Sequence, residues 1–215
     1  MSELFRIRFH NPFTMFIAGP TKSGKTTFVE NLLLHSHEFF TQRPNKVFYF
    51  YNMNEPTHVK LRKHVEQFIE GLPTKEWLSR IQADYGDNVT IVIDDQALHL
   101  SDEIAEFFTV GSSRKKANII FISQNLFLHA KQARTISLNC NYFVIFKNPR
   151  DVQAAQNFFR QLEGDTKIIS DIYLDATKNS HSYLLIDLHQ QTSVENRFLS
   201  NIFGENDRPP VLYRF

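Results

Sequence analysis

A loop near the start of the chain carries residue types that bind phosphate. The stretch from Gly19 to Thr26 has the pattern Gly-x-x-x-x-Gly-Lys-Thr, and it lies between an apolar run at 13–18 and a helical pattern at 25–35. In such a loop the backbone N–H groups and the helix N-terminus surround phosphate, the lysine reaches the β- and γ-phosphates, and the threonine binds Mg²⁺. The cofactors are therefore predicted to be ATP and Mg²⁺, and the ATP-binding residues to be Gly19, Pro20, Thr21, Lys22, Ser23, Gly24, Lys25, Thr26 and Thr27.

Two adjacent carboxylates end a second apolar run. Residues 89–93 are Val-Thr-Ile-Val-Ile, and Asp94 and Asp95 follow them. An apolar strand that ends in acidic residues, downstream of a phosphate loop, is typical of the Walker B element of P-loop ATPases. Asp94 is predicted to bind the metal together with Thr26, and Asp95 to polarise the attacking water as the catalytic base. Lys25 is predicted to be catalytic as well as ATP-binding, because it contacts the γ-phosphate.

Polar residues also end the apolar run at 117–122. Parallel strands bring their carboxyl ends to one edge of a sheet, so the carboxamide of Gln124 is predicted to lie beside the γ-phosphate as a catalytic sensor. Asn125 is the nearest alternative for this role. The alternative role for Gln124 is a cap on the following helix or a local backbone contact.

A short cationic loop precedes that run. The small residues 111–113 are followed by Arg114, Lys115 and Lys116. The planar guanidinium of Arg114 suits an arginine finger that reaches the γ-phosphate of a neighbouring subunit, whereas Lys115 and Lys116 are predicted to bind DNA phosphates. The alternative is a solvated loop without either role, since short runs of charge are common on protein surfaces.

The composition is that of an ordinary globular chain. Its 215 residues suit one substantial core, so a single P-loop ATPase domain is predicted over 1–215, with a core at about 13–188 and a tail at about 189–215. The net charge of +1 gives no bulk attraction to nucleic acid, so a DNA contact must be local. The single cysteine, Cys140, excludes an internal disulfide, and no apolar run approaches the ~20 residues that cross a bilayer. A soluble, intracellular protein without membrane contact is expected.

Short β-rich runs alternate with helical patterns, which indicates an α/β fold with a mostly parallel central sheet flanked by helices. Strands are predicted at 13–18, 46–51, 89–93, 117–122, 142–146 and 183–188, and helices at about 25–35, 101–108 and 151–162. The charged stretch at 55–80 is predicted to be rich in helix, and the tail that contains Pro209 and Pro210 to be irregular. Most of the 21 phenylalanines are expected in the core.

Taken as a set, these segments resemble the FtsK/HerA-type genome-packaging ATPases of double-stranded DNA viruses. The resemblance covers about 13–188 and is closest to the packaging ATPases of adintoviruses and Maverick/Polinton elements. Besides the phosphate loop and Ile93-Asp-Asp95, it rests on Ser113-Arg114, Ile120-Phe-Ile-Ser-Gln-Asn-Leu-Phe127, Arg134-Thr-Ile-Ser-Leu-Asn139 and Phe146-Lys-Asn-Pro-Arg-Asp151.

The resemblance implies a RecA-like core that hydrolyses ATP and translocates DNA, and so packages viral double-stranded DNA. It implies a homo-oligomeric ring, commonly a pentamer, with ATP at the subunit interfaces and a docking site on a viral capsid or portal vertex. Such a protein works in the nucleus or cytoplasm of an infected host cell and transiently at the capsid. In that family the basic residue at the position of Arg114 acts in trans, the glutamine at that of Gln124 senses nucleotide state, and many members have glutamate where this chain has Asp95.

Two other functions are compatible with the same residues. A small-molecule or nucleoside kinase also combines a phosphate loop with one compact domain, although no stretch here clearly forms the arginine-bearing lid that kinases close over phosphate. A nucleotide-dependent assembly module would bind ATP only to control the association of subunits or partners. Turnover of ATP without an added acceptor, stimulated by duplex DNA, distinguishes the translocase from both.

Overall fold

One nine-stranded sheet runs through the part of the chain that the computed structural model describes, which comprises residues 7–52, 58–94, 105, 108, 116–126, 131–204 and 208–214. The strands are β1 (Thr14–Ala18), β2 (Lys46–Tyr51), β3 (Gln67–Glu70), β4 (Val89–Asp94), β5 (Asn118–Ser123), β6 (Tyr142–Phe146), β7 (Tyr183–Asp187), β8 (Phe198–Ser200) and β9 (Val211–Tyr213). The helices are α1 (Lys25–Leu34), α2 (Ser36–Phe39), α3 (His58–Leu61), α4 (Lys75–Tyr85), α5 (Lys131–Leu138), α6 (Val152–Phe159) and α7 (Thr166–Ala176), and Val194–Asn196 form a 3₁₀ turn.

The order of the strands places the predicted site at one edge of the sheet. From one side to the other it is β3-β2-β4-β5-β1-β6-β7-β8-β9. The six strands from β3 to β6 are parallel, and β7, β8 and β9 continue the sheet in antiparallel pairs. The strands β1, β4, β5 and β6 therefore all end at the same edge, which we call the carboxyl edge, and begin at the opposite, amino edge.

Both faces of the sheet are buried, because successive side chains of a strand point to opposite faces and both sets are apolar here. In β1, Met15 and Ile17 belong to the core on one face, whereas Phe16 and Ala18 belong to the core on the other. Helix α1 packs on the first face through four buried residues, Phe28, Val29, Leu32 and Leu33. Helices α4 to α7 contribute to the second face, with residues that include Leu78, Ile136, Phe158 and Ile172.

The predicted fold class, a mostly parallel sheet flanked by helices, is confirmed. The predicted strands agree with β1, β2, β4, β5, β6 and β7 to within about one residue at each end. The stretch at 55–80 was expected to be helix-rich, but it holds the strand β3 between the helices α3 and α4. The predicted helix at 101–108 falls outside the described residues except for 105 and 108. No helix among the described segments is long and apolar enough to cross a membrane.

The prediction of an irregular tail is wrong. Strands β8 and β9 pair with each other, and β8 pairs with β7, so the segment after 188 extends the sheet. Each of these strands has only three residues, which is too short to show an alternation of apolar and polar residues. They are stabilised by pairing and burial instead, since Phe198 and Leu199 are each 1% exposed.

Candidate nucleotide-binding site

The predicted phosphate loop connects the end of β1 to the start of α1 at the carboxyl edge. Gly24 precedes the helix with a φ of 110°, a backbone conformation that glycine adopts without strain. Within the loop, the backbone N–H of Ser23 donates to the Pro20 carbonyl at 3.1 Å. The N–H of Gly19 donates to the carbonyl of Ser123, the last residue of β5, at 3.2 Å. The loop is thereby attached to the neighbouring strand as well as to its own.

Gly19 is required by close packing. A Cβ at this position would lie 2.6 Å from Phe146 Cβ and 2.8 Å from Ser23 Oγ, which is closer than such atoms approach in proteins. Phe146 ends β6 and is 2% exposed, so it has little room to move. Any side chain at residue 19 would therefore displace the loop.

The loop and the start of α1 present donors that fit a nucleotide phosphate. The first N–H groups of a helix have no partner within it, and α1 has neither a side-chain cap nor an acidic residue in its first turn. The Ser23 hydroxyl is buried and has no hydrogen-bond partner among the described residues. The ammonium of Lys25 donates to the carbonyls of Gly19 at 2.7 Å and Pro20 at 3.0 Å, which keeps the cation at the loop. Together these groups suit an anion with several oxygens.

Asp94 lies at the same edge and on the same sheet face as α1. It ends β4 opposite Ile122 of β5, and β5 in turn pairs with β1. Two strand spacings separate the ends of β4 and β1, which is about 10 Å. The hydroxyl of Tyr49 donates to Asp94 Oδ2 at 2.5 Å. An aspartate carboxylate and the Thr26 hydroxyl are ligands that suit Mg²⁺, which binds few protein oxygens and completes its shell with phosphate and water.

Gln124 is brought to the phosphate loop, as the sequence predicts. It follows the last residue of β5, and it lines a small pocket together with Ala18 and Gly19. Asn148, Asp151 and Tyr173 line the same pocket. The alternative candidate, Asn125, uses its backbone N–H to contact Ser123 Oγ at 3.2 Å. The geometry therefore favours Gln124 over Asn125 for contact with the loop, while its sensor role stays a prediction.

Of the cationic loop residues Arg114, Lys115 and Lys116, the structure describes Lys116. Asp95, Arg114 and Lys115 lie outside the described residues, so their roles stay predictions. Lys116 lies at the amino edge, where its carbonyl accepts from the N–H of Asn88 at 2.9 Å. Its ammonium bonds Asp87 Oδ2 at 2.8 Å, and this contact raises the pKa of Lys116. A DNA phosphate at Lys116 would compete with that carboxylate.

Several residues at the site were not found by sequence reasoning. Tyr49 contacts Asp94 from a neighbouring strand, and the Nδ1 of His181 donates to the Ser23 carbonyl at 3.3 Å from the turn before β7. Neither contact has a signal in sequence spacing, because the residues are 45 and 158 positions apart. The segment 148–151, which belongs to the stretch Phe146–Asp151 of the resemblance, forms a turn in which Arg150 N–H donates to Asn148 Oδ1 and Asp151 caps α6.

Solved structures of viral packaging and secretion ATPases have a similar fold. The genome packaging NTPase B204 from Sulfolobus turreted icosahedral virus 2, in complex with ATP-gammaS, aligns over 84% of this chain and 94% of its own, with a TM-score of 0.53 and 12% identity. The DNA-packaging ATPase B204 from Sulfolobus turreted icosahedral virus aligns over the same shares, with a TM-score of 0.57 and 12% identity. The cytoplasmic domain of the Thermomonospora curvata type VII secretion ATPase EccC aligns over 89% of this chain and 27% of its own, with a TM-score of 0.55 and 14% identity.

No protein-family model matches the sequence, and neither does any curated protein. At identities this low, the structural likeness establishes the fold and leaves the activity to be argued from the site. The shared fold is a mostly parallel central sheet flanked by helices.

Proposed function

We propose that this protein is an ATP-hydrolysing DNA translocase that packages viral double-stranded DNA into a capsid. The observation that carries the proposal is the convergence of three elements at the carboxyl edge. The phosphate loop follows β1, Asp94 ends β4, and Gln124 follows β5. The strands β4, β5 and β1 are neighbours in the sheet, and the hydrogen bond from Gly19 to Ser123 joins the phosphate loop to the end of β5. The similarity to a DNA-packaging ATPase over nearly its whole length supports the choice among ATPases.

The chain's own residues divide the work of hydrolysis. The loop N–H groups and Lys25 hold the β- and γ-phosphates, and Thr26 and Asp94 would hold Mg²⁺, which when bound neutralises charge on the phosphate oxygens. Asp95 accepts a proton from the attacking water, and Gln124 orients that water or the γ-phosphate from the end of β5. Asp95 has a shorter side chain than the glutamate that is common at this position in the family that the sequence resembles.

A homo-oligomeric ring is part of the same proposal, a pentamer by analogy with the resembled family. We assign the arginine finger, Arg114, to the nucleotide of a neighbouring subunit in this ring. Lys116, the described end of the cationic loop, lies at the amino edge, and the six residues of β5 separate it from the phosphate loop by about 20 Å. This separation supports the trans assignment.

The remaining partners belong to the same proposal. Duplex DNA passes through the ring and contacts Lys115 and Lys116, and the ring docks on a viral capsid or portal vertex. This activity takes place in the nucleus or cytoplasm of an infected cell. The near-neutral net charge supports local DNA contacts over attraction by the whole surface.

The test is ATP hydrolysis with no acceptor other than water, with and without duplex DNA. We expect phosphate release that duplex DNA stimulates, and Lys25→Ala should abolish it without lowering the unfolding temperature. Lys178→Ala is the control, because this exposed lysine follows α7 and, among the described residues, forms an ion pair only with Asp175, at 2.8 Å. Phosphate transfer to a small molecule would identify a kinase instead, and tight ATP binding without turnover would identify an assembly module.

The trans role of Arg114 has a separate test. Subunits with Arg114→Ala and subunits with Lys25→Ala should each be inactive, and mixing them under conditions of subunit exchange should restore part of the activity. Recovery is expected because some interfaces then combine an intact Lys25 with an intact Arg114. Exchange without recovery at any ratio would contradict the trans assignment.

A further inference from the structure

We propose that Tyr49 is a positioning residue for Asp94, and that its hydroxyl holds the carboxylate in the orientation that binds Mg-nucleotide. The inference rests on the proposed ATP site and adds to it a residue from outside the phosphate loop and the acidic pair. The contact that motivates it is the hydrogen bond from the Tyr49 hydroxyl to Asp94 Oδ2.

The pairing of β2 with β4 explains why this tyrosine reaches the carboxylate. Tyr49 lies opposite Val92, and Tyr51 lies opposite Asp94. Residues two apart on a strand share a face, so Tyr49 and Asp94 point to the same side of the sheet. The diagonal between them is within reach of an aromatic side chain, and the phenol ring carries its hydroxyl along the strand direction to the carboxylate.

The ring of Tyr49 has little freedom to move. Its side chain is 0% exposed, and it stacks on Phe68 of β3 with ring centroids 4.8 Å apart and an interplanar angle of 23°. The Arg62 guanidinium lies 4.7 Å from the centroid of the Phe68 ring. A hydroxyl on so constrained a ring is a donor in a fixed place, and Asp94 Oδ2 is bonded to it.

A fixed carboxylate binds a metal more tightly than a mobile one. When a metal ligand is held by a hydrogen bond from a neighbouring group, loss of that group typically weakens metal binding by about 10- to 100-fold. Asp94 is part-buried and ends its strand, so the Tyr49 hydroxyl limits its rotation where the backbone pairing stops. We therefore expect Tyr49→Phe to weaken the Mg²⁺-dependent part of nucleotide binding by about tenfold.

The matched control is Tyr142→Phe. Tyr142 is also 0% exposed, and its hydroxyl accepts a hydrogen bond from the His10 N–H at 3.1 Å. It begins β6 and so lies at the amino edge, away from Asp94. Each variant loses one buried, hydrogen-bonded hydroxyl, but only Tyr49→Phe loses it at the proposed metal ligand.

The experiment titrates a fluorescent ATP analogue into each protein, first in EDTA and then over a series of MgCl₂ concentrations, and records the unfolding temperature in parallel. For Tyr49→Phe we expect the MgCl₂ concentration at half-maximal binding to rise about tenfold, with the affinity in EDTA unchanged. For Tyr142→Phe we expect both quantities to equal those of the wild type. Phe68→Leu, which keeps the hydroxyl but loosens the ring, should shift the MgCl₂ midpoint in the same direction by a smaller factor.

The outcomes separate this inference from the proposed function. An unchanged MgCl₂ midpoint in Tyr49→Phe, or an equal loss of affinity in EDTA and in MgCl₂, would overturn the positioning role while the ATP site stands. If the wild type binds the analogue identically with and without MgCl₂, the proposed Mg-ATP site itself fails. Should Tyr49→Phe not fold, Phe68→Leu and Tyr142→Phe decide the question in the same titration.

Discussion

Replacing Gly19 by alanine should damage the phosphate loop more than its small size suggests. The new methyl group would lie 2.6 Å from Phe146 Cβ, and ordinary contact begins at 3.4 Å, so the loop must move by nearly 1 Å. Overpacking of this kind costs about 1–3 kcal/mol, and the loss of glycine freedom in the unfolded chain returns about 0.4–1 kcal/mol. The net destabilisation is about 1–2 kcal/mol, which corresponds to a fall of about 2–8 °C in unfolding temperature for a chain of this size.

The effect on nucleotide binding should be larger than the effect on stability. A displacement near 1 Å breaks the 3.2 Å bond from Gly19 N–H to the Ser123 carbonyl and misaligns the N–H groups that face phosphate. Loss of one hydrogen bond to a charged group costs about 1.5–3 kcal/mol, so ATP affinity should fall by about 10- to 100-fold.

Thermal unfolding and titration of a fluorescent ATP analogue measure the two effects of Gly19→Ala separately. Gly86→Ala is the control: in the described part of the chain nothing lies within 4 Å of its added Cβ, so it should cost stability through its φ of +68° and leave ATP affinity unchanged. Adding Ser23→Ala to Gly19→Ala should not restore binding, because the contact with Phe146 persists. Wild-type affinity in Gly19→Ala would refute the reasoning from close packing.

Three further predictions concern the rest of the fold. Leu199→Ala should lower the free energy of unfolding by about 2–5 kcal/mol in urea denaturation, because Leu199 is 1% exposed. Val211→Ala, at a 38% exposed site, should lower it much less. Equal effects of the two substitutions would contradict the role of β8 in the core. Burial raises the pKa of the Cys140 thiol, so a thiol reagent should modify it only after denaturation, and rapid reaction of the native protein would be inconsistent with its burial. Burial, and then the neighbouring His10, lower the pKa of His189, so the folded state favours the neutral imidazole. The stability that this neutral ring contributes is present above the ordinary histidine pKa of about 6.5 and is lost as the pH falls through the lowered pKa of the folded state. His189→Gln should therefore reduce the fall in unfolding temperature between about pH 7.5 and 5.5, and identical pH profiles would rule this out.

The parts of the site that could be predicted from sequence are those carried by local spacing. The phosphate loop and the Asp94 strand end each combine an apolar run with polar residues at a fixed offset, and both runs form strands at the predicted positions. Gln124 required one additional rule, that parallel strands end at a common edge. Its place beside Gly19 shows that the rule applies, because β1 and β5 are parallel neighbours.

The parts that could not be predicted depend on which strands become neighbours. The contact of Tyr49 with Asp94 exists only because β2 pairs with β4 in one register. His181 contacts Ser23 only because β7 folds back against β6. Strand β3 was missed because Gln67–Glu70 alternates only weakly, and its identity as a strand depends on pairing with β2.

The position of β1 in the sheet has a consequence for how the chain is made. Thr14 pairs with Ile119 on one side and Met15 with Tyr142 on the other, so both neighbours of β1 are synthesised more than a hundred residues after it. At about 5–20 residues per second, this apolar strand stays unpaired for about 5–20 s of translation. The phosphate loop cannot form its bond to Ser123 before that residue has been added, so the proposed nucleotide site is complete only after it. Until then the nascent chain exposes an unpaired, aggregation-prone apolar strand.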